Sequence, residues 1–379
     1  MKANVSIEPI ADLSEDFIKG ADISMLPEIE ESGGRYFNEG NEVDPLVLLK
    51  EKGVNSVRIR VWVDPYDEHG NAYGGGTVDE NRAIELAKRA DSLGFSLLID
   101  FHYSDFWTDP GKQFKPKSWE SYNHEQLKQA IYIHTTSVLT RLKAAGVTPE
   151  MVQVGNEINS GVLWPDGKSW GEGGGEFDSL ADFLNAGLQA VRDSDPSIQT
   201  MLHLAEGGDL EMVRWWMEEI ALRGVDFDVM GLSYYPYWDG DFNKLKAVMD
   251  YITHEHNKES IIVETAYGFT THNGDTLDNI FSSESAELVG YPATPQGQAT
   301  YLRDLMEVVH KANGVGFYYW EPLWIPVNGA PWATEQGMQY IKTDGDVGNA
   351  WDNQAVFDFN GEALPSLNVF HLVNPEQTN

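Results

Sequence analysis

The sequence predicts a (β/α)8 barrel, and three observations carry that reading. Eight short apolar runs recur along the 379 residues, most of them separated by a longer amphipathic stretch. That alternation folds into parallel strands joined by right-handed helical crossovers. No glycine-rich phosphate loop follows the first run, which weakens the competing doubly wound open sheet. The runs also end on polar or aromatic side chains, and in a barrel the site lies at the carboxyl ends of the strands.

The expected strands cover 21–25, 56–63, 96–102 and 151–157, then 198–203, 229–235, 260–264 and 315–320. Helical periodicity marks 80–93, 124–145, 180–193 and 295–312, with Asp79 and Asp178 as expected caps. The whole chain, 1–379, reads as one catalytic domain with a short lead-in over about 1–18, because barrels exceed the usual domain size. The strand ends carry Arg60, His102, Asn156, Glu157, His203, Tyr235, Glu264, Trp320 and Glu321. A set of polar groups at one rim demands partners, and a functional site is the reading that explains the whole set.

Composition narrows the partners. At 41% hydrophobic the chain has material for a large core. Sixty acidic against 26 basic residues give a formal charge of −34. Such a field repels nucleic acid and anionic membrane surfaces, but not a neutral polysaccharide; added solubility is the simpler alternative. Cysteine is absent, which removes thiol catalysis and cysteine-ligated metal. No segment has the length of apolar chain a membrane span needs. Residues 1–10 lack a signal-peptide core, so a secreted bacterial enzyme would have had its export signal removed or replaced. Aromatics crowd the loops at Trp107, Trp119, Trp164, Trp170, Trp238, Trp324, Trp332 and Trp351, offering flat faces for pyranose rings. Trp215 and Trp216 lie in a helical pattern and read as core.

Two of the strand-end groups suit glycoside hydrolysis, which needs one carboxyl to protonate the leaving oxygen and a second to attack or to activate water. Glu157 ends the fourth strand and Glu264 the seventh, so the two face each other across the mouth. Retention requires a separation of roughly 5–5.5 Å. The nucleophile must stay ionised, and Arg60 and Tyr235 are the expected groups to hold it. A pair of separate strand-end ion pairs is the alternative.

Longer motifs make the pattern specific. Gly155-Asn156-Glu157-Ile158 and Val263-Glu264-Thr265 look like the clan A retaining hydrolases. Gly20-Ala21-Asp22-Ile23-Ser24, Val57-Arg58-Ile59-Arg60-Val61-Trp62 and Asp100-Phe101-His102-Tyr103-Ser104-Asp105 are more particular. With Asn159 to Pro165, Ser233-Tyr234-Tyr235-Pro236 and Tyr319-Trp320-Glu321-Pro322, the chain resembles glycoside hydrolase family 53, the endo-β-1,4-galactanases, from about Gly20 to Phe370. The resemblance implies that Glu157 is the acid/base and Glu264 the nucleophile of a retaining enzyme acting on galactan or type I arabinogalactan. It further implies that Asn156 binds the sugar 2-hydroxyl and that Arg60 and Tyr235 hold the nucleophile. His102, Asp105 and Trp107 would line the cleft, with Trp320 the platform under the reacting sugar.

Bacterial members of that family tie two loops together with calcium. Here the corresponding residues would be Asp275, Asp278, Asn349 and Asp352, although these loops are less acidic than the family's usual version, and ordinary turn chemistry is the competing reading. No catalytic cofactor is implied, and a monomer is expected. The pair His254 and His256, at a helix end, is a poor metal motif. Another clan A activity (mannanase, cellulase or exo-β-galactosidase) and a non-catalytic carbohydrate-binding barrel stay open at this point.

Overall fold

A computed structural model describes residues 4–170 and 177–375. Its centre is a closed barrel of eight parallel strands. These are β1 (Ile18–Asp22), β2 (Ser56–Val61), β3 (Ser96–Phe101), β4 (Met151–Val154), β5 (Gln199–Leu204), β6 (Val229–Ser233), β7 (Glu259–Glu264) and β8 (Gly316–Tyr319). Closure comes where Ile18 to Ala21 of β1 pair with Gly316 to Tyr319 of β8. Helices follow each strand in turn: α1 (Pro45–Glu51), α2 (Glu80–Ser92), α3 (His124–Ala144), α4 (Phe177–Ser194), α5 (Leu210–Leu222), α6 (Phe242–His256), α7 (Pro295–Lys311) and the short α8 (Val369–Leu372).

Strand periodicity decides which side chains reach the site. On β2, Val57, Ile59 and Val61 join the large core cluster under the helices, which leaves Ser56, Arg58 and Arg60 to the lumen. On β3 the same phase puts Leu97, Ile99 and Phe101 outward and Leu98 and Asp100 inward. A small apolar plug of Leu98, Met151, Met201, Val229, Ile261, Val263 and Tyr318 fills the lower lumen. The polar groups therefore rest on a dry floor.

The expected helices agree with α2, α3, α4 and α7 to within a few residues. Asp79 caps α2, accepting from the Arg82 N–H at 2.8 Å. Asp178 does not cap: α4 already includes Phe177, and Asp178 instead accepts from Arg223 Nε at 2.6 Å. The first strand lies three residues earlier than expected. Ser24 turns back on Asp22, its N–H and hydroxyl both bonding Asp22 Oδ1, and the ladder ends there. Strand ends at β2, β3, β4, β6 and β8 also fall short of the apolar runs, since their last residues leave the sheet to build the rim.

Candidate active site

The two glutamates reach the rim by different local devices. After β4 the backbone turns left-handed at Gly155 (φ 85°) and again at Glu157 (φ 49°). A side chain at 155 would meet Ile158, so glycine is needed there. The non-glycine left-handed residue is itself uncommon, and such strain gathers at working sites. It is held in place by Gln113, which donates to the carbonyls of Asn156 (2.9 Å) and Glu157 (3.2 Å). On β7 the register slips: Leu232 pairs with Ile262, but Ser233 pairs with Glu264. Val263 is the extra residue, and it belongs to the lumen plug. The bulge thereby lets Glu264, its immediate neighbour, face the interior too.

A carboxylate oxygen of Glu157, one of Glu264 and a ring nitrogen of His203 lie within 4.8 Å of one another. Both nitrogens of His203 are already hydrogen-bonded, so the trio is a catalytic-type cluster rather than a cation cage. The glutamates line a cavity of about 480 Å³ together with Asn156, Tyr235, Trp107 and Trp320.

Their electrostatic surroundings differ. Glu264 accepts from Arg58 Nη1 at 3.0 Å and from the Tyr235 hydroxyl at 3.0 Å. Burial lifts its pKa, and Arg58 and Tyr235 pull it back toward the ionised form. Among the described residues, no cation is in contact with Glu157. Burial first, and the charge on Glu264 second, push it well above the usual carboxylate range, against one hydrogen bond from Ser233. Of the two, Glu157 is the group biased more strongly toward its protonated form.

Arg58, not Arg60, holds the second glutamate. The Arg58 guanidinium is buried and meets Asp22 (3.0 Å), Asp100 (2.9 Å), Glu264 (3.0 Å) and the Asn156 side-chain oxygen (2.9 Å). Arg60 swings to the wall, where it pairs with buried Glu321, donates to the Gly75 carbonyl and lies 4.2 Å over the Trp107 ring. It still lines the cavity. Period two on β2 places both arginines inward, and that signal could have flagged Arg58. The choice between them turned on reach, which only the fold reveals.

Other expected residues are distributed as follows. His102 lines the cavity, with Nε2 on Asp100 (3.1 Å) and Nδ1 near the Thr108 hydroxyl (3.1 Å); burial lowers its pKa. Asn156 donates to the Thr108 carbonyl at 2.9 Å. Trp320 stands edge-on to Trp351, with ring centroids 4.8 Å apart. Asp105 does not line the cleft: it is buried behind it, accepting from the Asp64 N–H (3.0 Å) and from the Lys117 N–H and Nζ (2.8 Å each). Of the loop tryptophans, Trp107, Trp238, Trp324, Trp332 and Trp351 line the cavity, while Trp119 is core. Trp216 is core as expected, but Trp215 is 39% exposed.

The residues expected to hold calcium are engaged in hydrogen bonds between and within their loops. Asp352 accepts from the N–H groups of Gly274 and Asp275 and from Asn279 Nδ2. Asp275 accepts from the Leu277 and Asn349 N–H groups, and Asp278 from Asn273 Nδ2. Asn349 directs its oxygen to the Trp351 N–H. These oxygens face the positive ends of N–H dipoles. Hydrogen bonds thus join the two loops that the metal was expected to tie.

A barrel carrying two close carboxylates of opposed environment at its carboxyl rim defines the class: a glycoside hydrolase of the retaining type. Comparison with known proteins makes it specific. The sequence model of glycosyl hydrolase family 53 matches residues 18–370, and the chain belongs to that family. Endo-β-1,4-galactanase of Bacillus subtilis is 38% identical, covering 96% of this chain and 87% of the relative. Arabinogalactan endo-β-1,4-galactanase of Cellvibrio japonicus is 36% identical, over 93% and 90%. The solved GH53 catalytic domain of Ignisphaera aggregans superposes with a TM-score of 0.90 at 42% identity, covering 97% of this chain and 99% of that one.

Proposed function

We propose that this chain is a retaining endo-β-1,4-galactanase in which Glu157 is the acid/base and Glu264 the nucleophile. The observation that carries the reading is the approach of the two carboxylates to within 4.8 Å. Inverting enzymes hold theirs about 6.5–9.5 Å apart to admit a water. Glu264, kept ionised by Arg58 and Tyr235, attacks the anomeric carbon while Glu157 protonates the departing oxygen. Glu157 then takes a proton from the water that releases the sugar from Glu264. Asn156, with its oxygen on Arg58, has an N–H to offer the 2-hydroxyl, an interaction that strengthens as positive charge develops on the ring. Trp320, Trp107 and Trp351 supply aromatic walls for the sugar. Arg60 and Asp105 act at one remove, by bracing the Trp107 and Lys117 segments.

The choice of β-1,4-galactan rests on the relatives named for that activity. The chemistry of the reading needs no metal, because both groups that act on the sugar are carboxylates. It takes the protein to work as a monomer, since one chain holds both glutamates, and outside the cell, where a polymeric substrate is met. Among the described residues no helix is long and apolar enough to cross a membrane. Linear galactan is the test: viscosity should fall well before reducing ends accumulate, and the first anomer seen by proton NMR should be β. Galactose as the sole early product, an initial α-anomer, or faster turnover of mannan or cellulose would each overturn it.

A further inference from the structure

A chain of hydrogen bonds under the acid/base runs in one direction only, and it starts at Arg58. Arg58 Nε donates to Gln153 Oε1 at 3.2 Å, which fixes the amide so that Gln153 Nε2 faces His203. That Nε2 lies 2.9 Å from His203 Nδ1, and the Glu157 backbone N–H points at the same nitrogen from 3.2 Å. A ring nitrogen met by two N–H donors must carry the lone pair, so the imidazole proton sits on Nε2, the tautomer that this network assigns. Nε2 lies 2.9 Å from Ser233 Oγ and donates to it. With that lone pair filled, the Ser233 hydroxyl turns its only hydrogen to Glu157 Oε1, 2.7 Å away.

We propose that His203 and Ser233 are positioning residues that lock an O–H donor onto Glu157 Oε1 and so reserve Oε2 for the proton that moves in catalysis. The inference rests on the reading of Glu157 as acid/base. In the first step the Oε2 proton passes to the glycosidic oxygen as its bond to the anomeric carbon breaks and the bond to Glu264 forms. In the second, a water proton returns to Oε2 as the water oxygen displaces Glu264. Oε1 accepts from Ser233 throughout, so Glu157 has no need to rotate between steps. The arrangement requires a neutral His203. Burial, then the charge of Arg58, hold its pKa well below the usual range, and an imidazolium would turn a donor on the Gln153 and Glu157 N–H groups.

The groups that act on Glu157 are Glu264 from β7, Asp109 from the loop after β3, Arg58 from β2 and Ser233 from β6. Only the last is altered by Ser233→Ala. That variant should lose roughly tenfold in kcat on galactan, with KM little changed. A dinitrophenyl β-galactobioside, whose leaving group needs no proton, should glycosylate the enzyme at near wild-type rate. Since the lost hydrogen bond favours the carboxylate, the alkaline limb of the galactan profile should move up by about half a pH unit or more. Ser233→Thr, which keeps the hydroxyl, should restore the wild-type limb. Equal losses on both substrates with an unmoved alkaline limb would overturn the proposal. A direct check avoids any folding defect: nitrogen NMR of the wild-type enzyme, with the His203 signal assigned through His203→Gln, should show the Nε2–H tautomer across the working pH range. An Nδ1–H tautomer or an imidazolium there would also overturn it. Glu157→Ala, assayed alongside, separates the two levels. If it spares galactan turnover the acid/base reading fails; if it stops galactan while still reacting with the dinitrophenyl substrate, only the positioning claim is on trial.

Discussion

Arg58 donates from Nη1 to Glu264 Oε1 at 3.0 Å, and from its other terminal nitrogen to Asn156 Oδ1 at 2.9 Å. One guanidinium thus fixes both the attacking carboxylate and the amide beside Glu157. A planar fork does this and an ammonium cannot. Arg58→Lys should fold but lose on the order of 10²-fold in kcat on galactan, because the nucleophile is no longer held in line. Arg60→Lys, whose charge partner is Glu321, should lose much less. Steady-state kinetics of the pair checks this, and a larger loss in Arg60→Lys would return the nucleophile-holding role to the residue expected from sequence.

Asp239 predicts a slope in stability with pH. Burial raises its pKa to about 7, against a hydrogen bond from the Tyr235 N–H. Unfolded, the group titrates at ~3.9. The folded state therefore binds the extra proton between those values. Its contribution to stability is fully present below the unfolded pKa and is lost as pH rises through about 7. Asp352, at about 6, tilts the same way, as does the repulsion among a formal charge of −34. Melting temperature should be higher at mildly acidic than at mildly alkaline pH. Asp239→Asn should raise it on the alkaline side and do little on the acidic side, with an effect of a few kcal/mol at most. Equal shifts on both sides would show that Asp239 is not the titrating group.

Asp352 joins the two loops that a metal was expected to tie. Three N–H donors converge on it from the loop after β7. Chelation should accordingly leave the melting curve where it is, and added calcium should not raise it. Asp352→Ala should destabilise by about 1 kcal/mol or more, since it removes a buried carboxylate from three half-exposed N–H donors. A fall in melting temperature with EDTA that calcium reverses would show that the loops rearrange around an ion.

The fold was legible because barrel strands and helices announce themselves by period, and α2, α3 and α7 begin at the expected residues. Glu157 and Glu264 were legible because each sits at the end of an apolar run inside a specific motif. What the sequence hid were contacts that depend on reach across the lumen. Arg58 and Arg60 are equivalent by period, yet Arg58 spans to β7 while Arg60 turns to the wall. Ser233 stood in the sequence only as the first residue of a motif, with no role attached: a serine before two tyrosines acquires its role only when the bulge at Val263 and the imidazole of His203 close around it. The calcium loops show a related ambiguity. Asp and Asn in a loop signal either an ion or N–H groups, and only backbone direction distinguishes them.

The roles of the two glutamates can be separated by the anomer of a rescued product. Glu264→Ala removes the nucleophile and leaves space on the α-face of the bound sugar, while Glu157 still delivers its proton. Azide added to that variant, with an activated galactoside, should occupy the vacated side and give an α-galactosyl azide by one displacement. Glu157→Ala keeps Glu264, so the covalent intermediate still forms from a substrate whose leaving group departs unaided. Azide needs no base to act as a nucleophile, and by displacing Glu264 it should give the β-galactosyl azide. Loss of galactan activity alone would say little, because either substitution disturbs the buried pair linked through Arg58 and Tyr235. Product stereochemistry, read by NMR, does not depend on how much activity remains. Exchanged anomers would mean that Glu157 attacks and Glu264 protonates, against the electrostatic difference between them: a cation in contact with one, and a serine hydroxyl on the other.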